Sequence, residues 1–295
     1  MQFVKSHGAG NDFVLIEDLE DRLGILPSSL VAAICDRHKG VGGDGLIRIT
    51  RAAGSDFFMD YYNADGEVAE MCGNGIRCLG KYVADRGITT ADSLSVDTRA
   101  GVKRLELYRD DDGLVDRVRV DMGAPILAAA DIPVDVPGDP LHVAVTADGV
   151  GYEAACVSMG NPHAVVFVPS LDAIPVERHG PAIETSRPFP AKTNVEFTEV
   201  ISPDEVRVRV WERGVGETQA CGTGACAVAV AGSLRGLTGR HVIVRMPGGP
   251  LEIEWTDETV LMTGPVVEVF SGELAPEFEG AMPTAAGSSS GKGVA

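Results

Sequence analysis

The chain has 295 residues, 44% hydrophobic and 23% charged, with a formal net charge of −18 and a pI near 4.7. That length and apolar content support a large core, expected as two domains, while the acidity disfavours nonspecific contact with nucleic acid or an anionic membrane, both of which reward basic patches. Six cysteines are too sparse for a disulfide framework, no apolar run approaches bilayer length, and the N-terminus turns polar and strand-like too early for a signal peptide, so a reducing cytoplasm is the expected setting.

In chain order, an apolar run at 13–16 reads as a strand, and Pro27 and Ser28 introduce a helix over 30–38. Gly40-Val41-Gly42-Gly43-Asp44-Gly45 fits G-x-G-x-x-G in letters, but it follows a helix and precedes a strand at 46–49. That order is the reverse of a dinucleotide site, and a tight turn is expected instead. A strand at 57–62 leads to Cys72-Gly73-Asn74-Gly75, which runs into a helix over 76–86 closed by Gly87. Further strands are expected at 102–108, 115–120, 143–146, 164–168 and 206–211. Cys221-Gly222-Thr223-Gly224 then runs into a second such helix over 225–234, closed by Gly236, followed by strands at 241–246 and 266–270. Few helices among many short strands give an α+β class. The Ala-, Gly- and Ser-rich tail at 280–295 is expected to be disordered.

The two Cys-Gly-x-Gly segments carry the most chemistry. Each cysteine precedes a helix start, where unpaired N–H groups and the positive end of the helix dipole favour a thiolate. Asn74 and Thr223 are good N-cap types, and the glycines allow a ligand close to the backbone. Cys78 and Cys226 fall inside apolar helical stretches and are expected as small buried hydrophobes. Cys72 and Cys221 lie 149 positions apart, and Asn11 and Asn161, each after a glycine and before an apolar strand, lie 150 apart. The recurring offset points to a duplicated domain. The expected division is 1–120 with Cys72, completed by the last strand near 263–275, and 121–262 with Cys221. Of six scattered histidines, His163 in Gly160-Asn161-Pro162-His163 is singled out by lying in an echoed turn. No C-x-x-C, H-E-x-x-H or P-loop is present, and no metal is expected.

The segments His7 to Phe13, Glu70 to Cys78, Gly160 to His163, Thr193 to Phe197 and Glu212 to Gly224 resemble, in order, the signature of the diaminopimelate epimerases. That resemblance implies two similar domains, each a strand-rich, barrel-like sheet around a central helix, with the site in the cleft between them. It also implies cofactor-independent inversion of LL-diaminopimelate to the meso form, with Cys72 and Cys221 as the acid and base pair. Backbone N–H groups at Gly73, Asn74, Gly222 and Thr223 would bind the reacting carboxylate; Asn11, Asn63, Asn161, Asn194, Glu212 and Arg213 match positions that contact substrate. His163 and Glu212 would tune the thiols. Some members place a glutamine in the turn after the first helix where this chain has Gly45, so that contact is absent or supplied by a neighbour. The expected partner is a small amino-acid substrate, with a homodimer as an open oligomeric state. Two alternatives stand beside this reading: a proline or hydroxyproline racemase of the same fold, and a thiol-based metal-binding or redox-sensing protein.

Overall fold

The structure is a computed structural model and describes residues 1–276 and residue 278; the tail at 280–295 lies outside the described residues. The chain opens with an antiparallel pair, β1 (Gln2–Gly8) and β2 (Asn11–Glu17). Helix α1 (Ser28–Cys35) carries the chain across to β3 (Gly45–Thr50), parallel to β2, and β4 (Phe57–Asn63) returns antiparallel. Helix α2 (Gly73–Asp85) leads to β5 (Ser93–Asp97), parallel to β4, and a meander through β6 (Lys103–Arg109) and β7 (Val115–Asp121) completes the first half.

The second half repeats this order. Strands β8 (Val143–Ala147) and β9 (Val150–Ser158) pair, and β10 (Pro162–Phe167) runs antiparallel to β9. Helix α3 (Val176–Glu184) crosses to β11 (Asn194–Ser202), parallel to β10, and β12 (Glu205–Glu212) returns beside it, edged by the short β13 (Gly216–Thr218). Helix α4 (Gly222–Leu234) leads to β14 (His241–Met246), parallel to β12, then β15 (Gly249–Trp255) and β16 (Val260–Pro265). The last strand, β17 (Val267–Glu273), returns to the first half and pairs with β1, the place that β8 takes beside β9. Antiparallel pairing of β7 with β16 seams the two halves into one continuous sheet.

The registers make the correspondence residue-specific. Phe13 stands opposite Gly45, Gly45 opposite Asn63 and Ile47 opposite Tyr61; in the second half His163 stands opposite Asn194 and Glu196 opposite Val210. Phe13, Gly45 and Ile47 therefore correspond to His163, Asn194 and Glu196. The turns before β2 and β10 both use a glycine in the left-handed region, Gly10 at φ 81° and Gly160 at φ 98°, where a side chain would be strained. Each half wraps its sheet around a 13-residue helix, and α4 is buried almost throughout because its Ala, Val, Gly and Cys side chains let strands approach on every side.

Three local expectations are corrected. Helices α2 and α4 begin three residues earlier than the apolar periodicity indicated, because the carbonyls of Cys72 and Cys221 already accept the N–H of Ile76 and Ala225, both at 2.9 Å. The cysteines, rather than Asn74 and Thr223, are thus the N-caps. Helix α1 ends at Cys35, since Asp36 adopts an extended backbone and its carboxylate takes the N–H groups of His38 and Lys39 instead. Helix α3 was not anticipated, because Gly180-Pro181 inside it reads as a breaker. The glycine is required there by packing: a Cβ at Gly180 would lie 2.5 Å from Cγ of Trp211.

Candidate active site

The helix starts of the two halves meet at the seam. The α-carbon of Gly73 lies 3.7 Å from the point that a Cβ on Gly222 would occupy, and the Met262 side chain on β16 fills the space beside both glycines. Cys72 (φ −132°, ψ 119°) and Cys221 (φ −126°, ψ 111°) cap these helices in nearly the same extended conformation. Asn74 bridges the halves, donating to Asn11 Oδ1 at 3.2 Å and to the Ala220 carbonyl at 3.3 Å while accepting from Arg77 at 3.0 Å. A second contact runs alongside, where the Gly248 N–H donates to the Gln219 carbonyl at 2.8 Å and Gly248 packs on the Gly10 turn.

Burial dominates both thiols. It pushes Cys72 up to about 11 against the opposing N–H groups of Gly75 and Asn74, with the Glu212 charge adding to the rise and Arg77 opposing it. Cys221 is raised well above 9, by burial first and then by the charges of Glu212 and Glu196, with Thr223 and the Gly224 N–H opposing. Removal from water thus makes each thiolate costly, at buried Cys221 more than at half-buried Cys72, and each helix start partly offsets that cost, typically by about 0.3–1 kcal/mol per charge and up to ~2 where partly buried. The result is a pair of strongly basic sulfurs held by donors. Cys78 and Cys226 are fully buried, and burial pushes both to about 12.

The remaining sequence-selected residues are distributed around this centre. Asn11 is half-buried, donating to Asp44 at 2.7 Å, with its Oδ1 at 3.5 Å from Cys72 Sγ. Thr223 Oγ1 lies 3.5 Å from Cys221 Sγ. Asn161 Oδ1 faces His163 Nε2 at 3.0 Å. Glu212 accepts a short hydrogen bond from Thr218, and its carboxyl is raised by burial, against which Thr218 and His163 act. Asn194 is buried with both ends of its amide committed to backbone, donating to the Pro162 carbonyl and accepting from the Arg213 N–H, both at 2.8 Å. It therefore fixes the loops that carry Asn161 and Arg213. Arg213 and Asn63 are exposed. Gly45 is not in the turn but opens β3, and a Cβ there would lie 2.7 Å from the Tyr61 ring, which occupies that space.

Three contributors went unassigned from sequence: Tyr61, Arg77 and Glu196. Tyr61 is nearly buried, and its phenol is raised by burial and then by the charges of Cys72 and Glu212. Arg77 is fully buried and spends its donors on the Gly73 and Pro265 carbonyls and Asn74 Oδ1. Glu196 pairs with His163 Nδ1 at 2.7 Å, both side chains fully buried. Arg77 and Glu196 are charges inside signature segments that could have been read, whereas Tyr61 is one aromatic of an apolar strand and carries no such signal.

All six cysteines are free, and among the described residues no three His, Cys, Asp or Glu side chains converge as a metal site. Nor is any described helix long and apolar enough to cross a membrane.

The family model described as diaminopimelate epimerase matches residues 3–128 and 155–269. This chain belongs to the diaminopimelate epimerase family. The diaminopimelate epimerase of Pelotomaculum thermopropionicum is 49% identical over 282 residues, covering 92% of this chain and 98% of that protein. That of Desulforudis audaxviator is 50% identical over 276 residues, covering 92% and 99%, and that of Methanococcus maripaludis strain S2 is 46% identical over 277, covering 93% and 99%. Among solved structures, a probable proline racemase from Agrobacterium radiobacter with bound carbonate superposes with a TM-score of 0.69 at 15% identity, covering 93% of each chain. A hydroxyproline epimerase from Agrobacterium vitis with bound trans-4-hydroxy-L-proline gives 0.66 at 15%, covering 92% of this chain and 91% of that one. At such identities these two share the fold of the diaminopimelate epimerase family and no more.

Proposed function

We propose that this chain interconverts LL- and meso-diaminopimelate without a cofactor, in the supply of lysine and peptidoglycan precursors, by proton transfer between Cys72 and Cys221. The observation that carries this reading is the contact of two cysteine-capped helix starts, which offers a sulfur and the first-turn N–H groups of a helix from each half. Inversion at an α-carbon needs a base on one face and an acid on the other. One thiolate removes the α-proton and becomes a thiol; the opposite thiol gives its proton to the other face and becomes the thiolate. The protein ends with its two protonation states exchanged, so the same pair serves the reverse direction. Charge that moves from the α-carbon onto the carboxylate would be met by N–H groups at Gly73, Asn74, Gly222 and Thr223, aligned by the helices.

Sulfurs raised by burial suit this task, since a thiolate of high proton affinity is the better base toward a weak carbon acid. Asn11, Asn63, Asn161, Asn194, Glu212 and Arg213 would hold the distal ammonium and carboxylate, with Arg213 supplying a bidentate fork and Asn194 Oδ1 keeping one lone pair beyond its bond from the Arg213 N–H. Residues 1–120 with the returning strand near 263–275 would act as one domain and 121–262 as the other, closing on substrate. A proline racemase would have no use for the charged distal set.

The test is incubation with LL-diaminopimelate in heavy water under reducing conditions, beside proline as a control. Meso product carrying deuterium at the inverted α-carbon is expected, with proline untouched. Product without solvent deuterium would exclude exchange through thiols, and turnover of proline alone would favour the racemase. Cys72→Ala and Cys221→Ala are each expected to lose at least about a hundredfold in kcat.

A further inference from the structure

The two halves correspond strand for strand, yet they do not back their cysteines alike. Behind α2, a Cβ at Gly75 would meet Ile47 Cδ1 at 2.8 Å and Phe13 Cζ at 3.4 Å. Behind α4, a Cβ at Gly224 would meet Glu196 Oε1 at 2.7 Å and Cys221 Sγ at 3.3 Å. Ile47 and Phe13 are the counterparts of Glu196 and His163 by register, so an apolar pair in one half is an acid and an imidazole in the other. The difference is reinforced within the helices, where Arg77 of α2 stands at the position that Cys226 takes in α4.

Glu196 is not fully neutralised by its partner. Oε1 binds His163 Nδ1 at 2.7 Å, while Oε2 is buried with no hydrogen-bond partner among the described residues. A carboxylate in that condition projects its charge through low-dielectric surroundings onto titratable neighbours beyond its imidazole partner, and the Cys221 sulfur lies against the same face of Gly224 as Glu196 Oε1.

We propose that Glu196 is a positioning residue that acts on Cys221 and not on Cys72, giving Cys221 the higher proton affinity, so that the resting protein holds a thiol at Cys221 and its thiolate character at Cys72. The charged and titratable groups facing Cys221 are Glu196 on β11, Glu212 on β12 and, through Glu196, His163 on β10; those facing Cys72 are Glu212, Arg77 on α2 and Tyr61 on β4. Glu212 is common to both and Tyr61 is a neutral phenol raised by burial, which leaves Glu196 and Arg77 as the charged groups that distinguish them. Two contacts act the other way: Asn11 Oδ1 faces Cys72 as an acceptor, and the Thr223 hydroxyl can donate to Cys221, each at 3.5 Å. Both are long contacts to sulfur, whereas a buried charge within a few ångströms shifts a pKa by about 1–3 units, so the charges decide. The directions agree, with burial first and Glu196 among the causes that raise Cys221, and Arg77 among those that lower Cys72.

The assignment to a resting acid and base rests on the two-thiol reading, but its test needs no turnover. In Cys72→Ala and Cys221→Ala proteins, the rate of iodoacetamide alkylation at the remaining site cysteine is followed against pH by peptide mass spectrometry. The midpoint for Cys72 is expected at least about one pH unit below that for Cys221. Equal or reversed midpoints overturn the proposal. Adding Glu196→Gln should lower the Cys221 midpoint by about one unit and leave that of Cys72 in place. An equal shift of both, or of neither, overturns it as well. Should Glu196→Gln fold poorly, the His163→Phe/Glu196→Ile double variant gives α4 the apolar backing of α2; the gap between the two midpoints must then narrow through a fall at Cys221, Arg77 being left in place, and an undiminished gap refutes the role. A failed deuterium assay with separated midpoints would reject the epimerase reading and keep the asymmetry.

Discussion

Gly73 and Gly222, 149 positions apart, are packed against each other at the first turns of their helices, with Met262 beside both and Met122 beside Gly73. Two positive helix ends are thereby aimed at one place. Nothing but an anion or a developing negative charge would be stabilised there, and the cysteines stand at its edges.

The turns behind the cysteines have no room for a methyl group. Gly224→Ala would drive a Cβ onto Glu196 Oε1 and Cys221 Sγ, whereas Gly75→Ala would meet Ile47, Met59 and Phe13. Overpacking of this kind costs about 1–3 kcal/mol, so Gly75→Ala should mainly lower the thermal midpoint. Gly224→Ala should lower kcat at least about tenfold with far-UV circular dichroism unchanged, because it displaces the sulfur itself. Steady-state kinetics beside thermal melts separate the two; equal kcat losses would mean that the backing residues do not differ in function.

Glu212 raises both thiols, and its own carboxyl is raised by burial. Replacing it by Gln removes a negative charge, so both thiols should ionise at lower pH. The ascending limb of kcat/KM against pH is therefore expected to move down by about one unit, with a rise in KM from the lost ammonium contact. A limb that stays in place would show that the charge does not reach the sulfurs.

Arg213 is exposed, but its backbone is pinned by Asn194, and its guanidinium donates to the Ala191 carbonyl at 3.4 Å. A guanidinium held this way can form two parallel bonds to a carboxylate that an ammonium cannot. Arg213→Lys should raise KM about tenfold, or ~1.4 kcal/mol, with kcat within about twofold. An unchanged KM would remove Arg213 from the distal end of the substrate.

Away from the site, Asp18 accepts from the N–H groups of Arg22 and Leu23 and from Arg48 in a buried network with Asp60. Burial alone would push its carboxyl up, but the two N–H groups and the guanidinium outweigh it and hold the carboxyl below 3.8. A depressed folded pKa means stabilisation that is present above about pH 4 and lost as pH falls through the folded value. Asp18→Asn should cost about 3 kcal/mol at pH 7, as for one lost partner of a buried ion pair, and the gap should narrow in urea melts below about pH 4. A gap independent of pH would place the cost in packing rather than charge.

Local chemistry was legible in the order of the residues. Cysteine, glycine, a cap-like residue and glycine before an apolar helix can be read directly, because capping and dipole effects act within one turn, and a copied offset survives as spacing. Most strand positions followed from alternation for the same reason. Strands β5, β9, β11, β13 and β15 and helix α3 did not: Leu-Glu-Ile-Glu in β15 carries little β-branched signal, and Gly180-Pro181 in α3 breaks the helical pattern although Trp211 packs on the glycine.

What sequence alone determined is that two thiols would each sit at a helix start in halves that echo one another. Only the tertiary structure decided that the two starts touch, that Asn194 serves the backbone, that Tyr61 fills the space above Gly45, and that Glu196 stands where Ile47 stands in the other half. The reason is physical: burial, registry across strands and the field of a buried charge depend on distances between residues far apart in the chain. A Cys-Gly-x-Gly motif can be identical in two places and still present two different sulfurs.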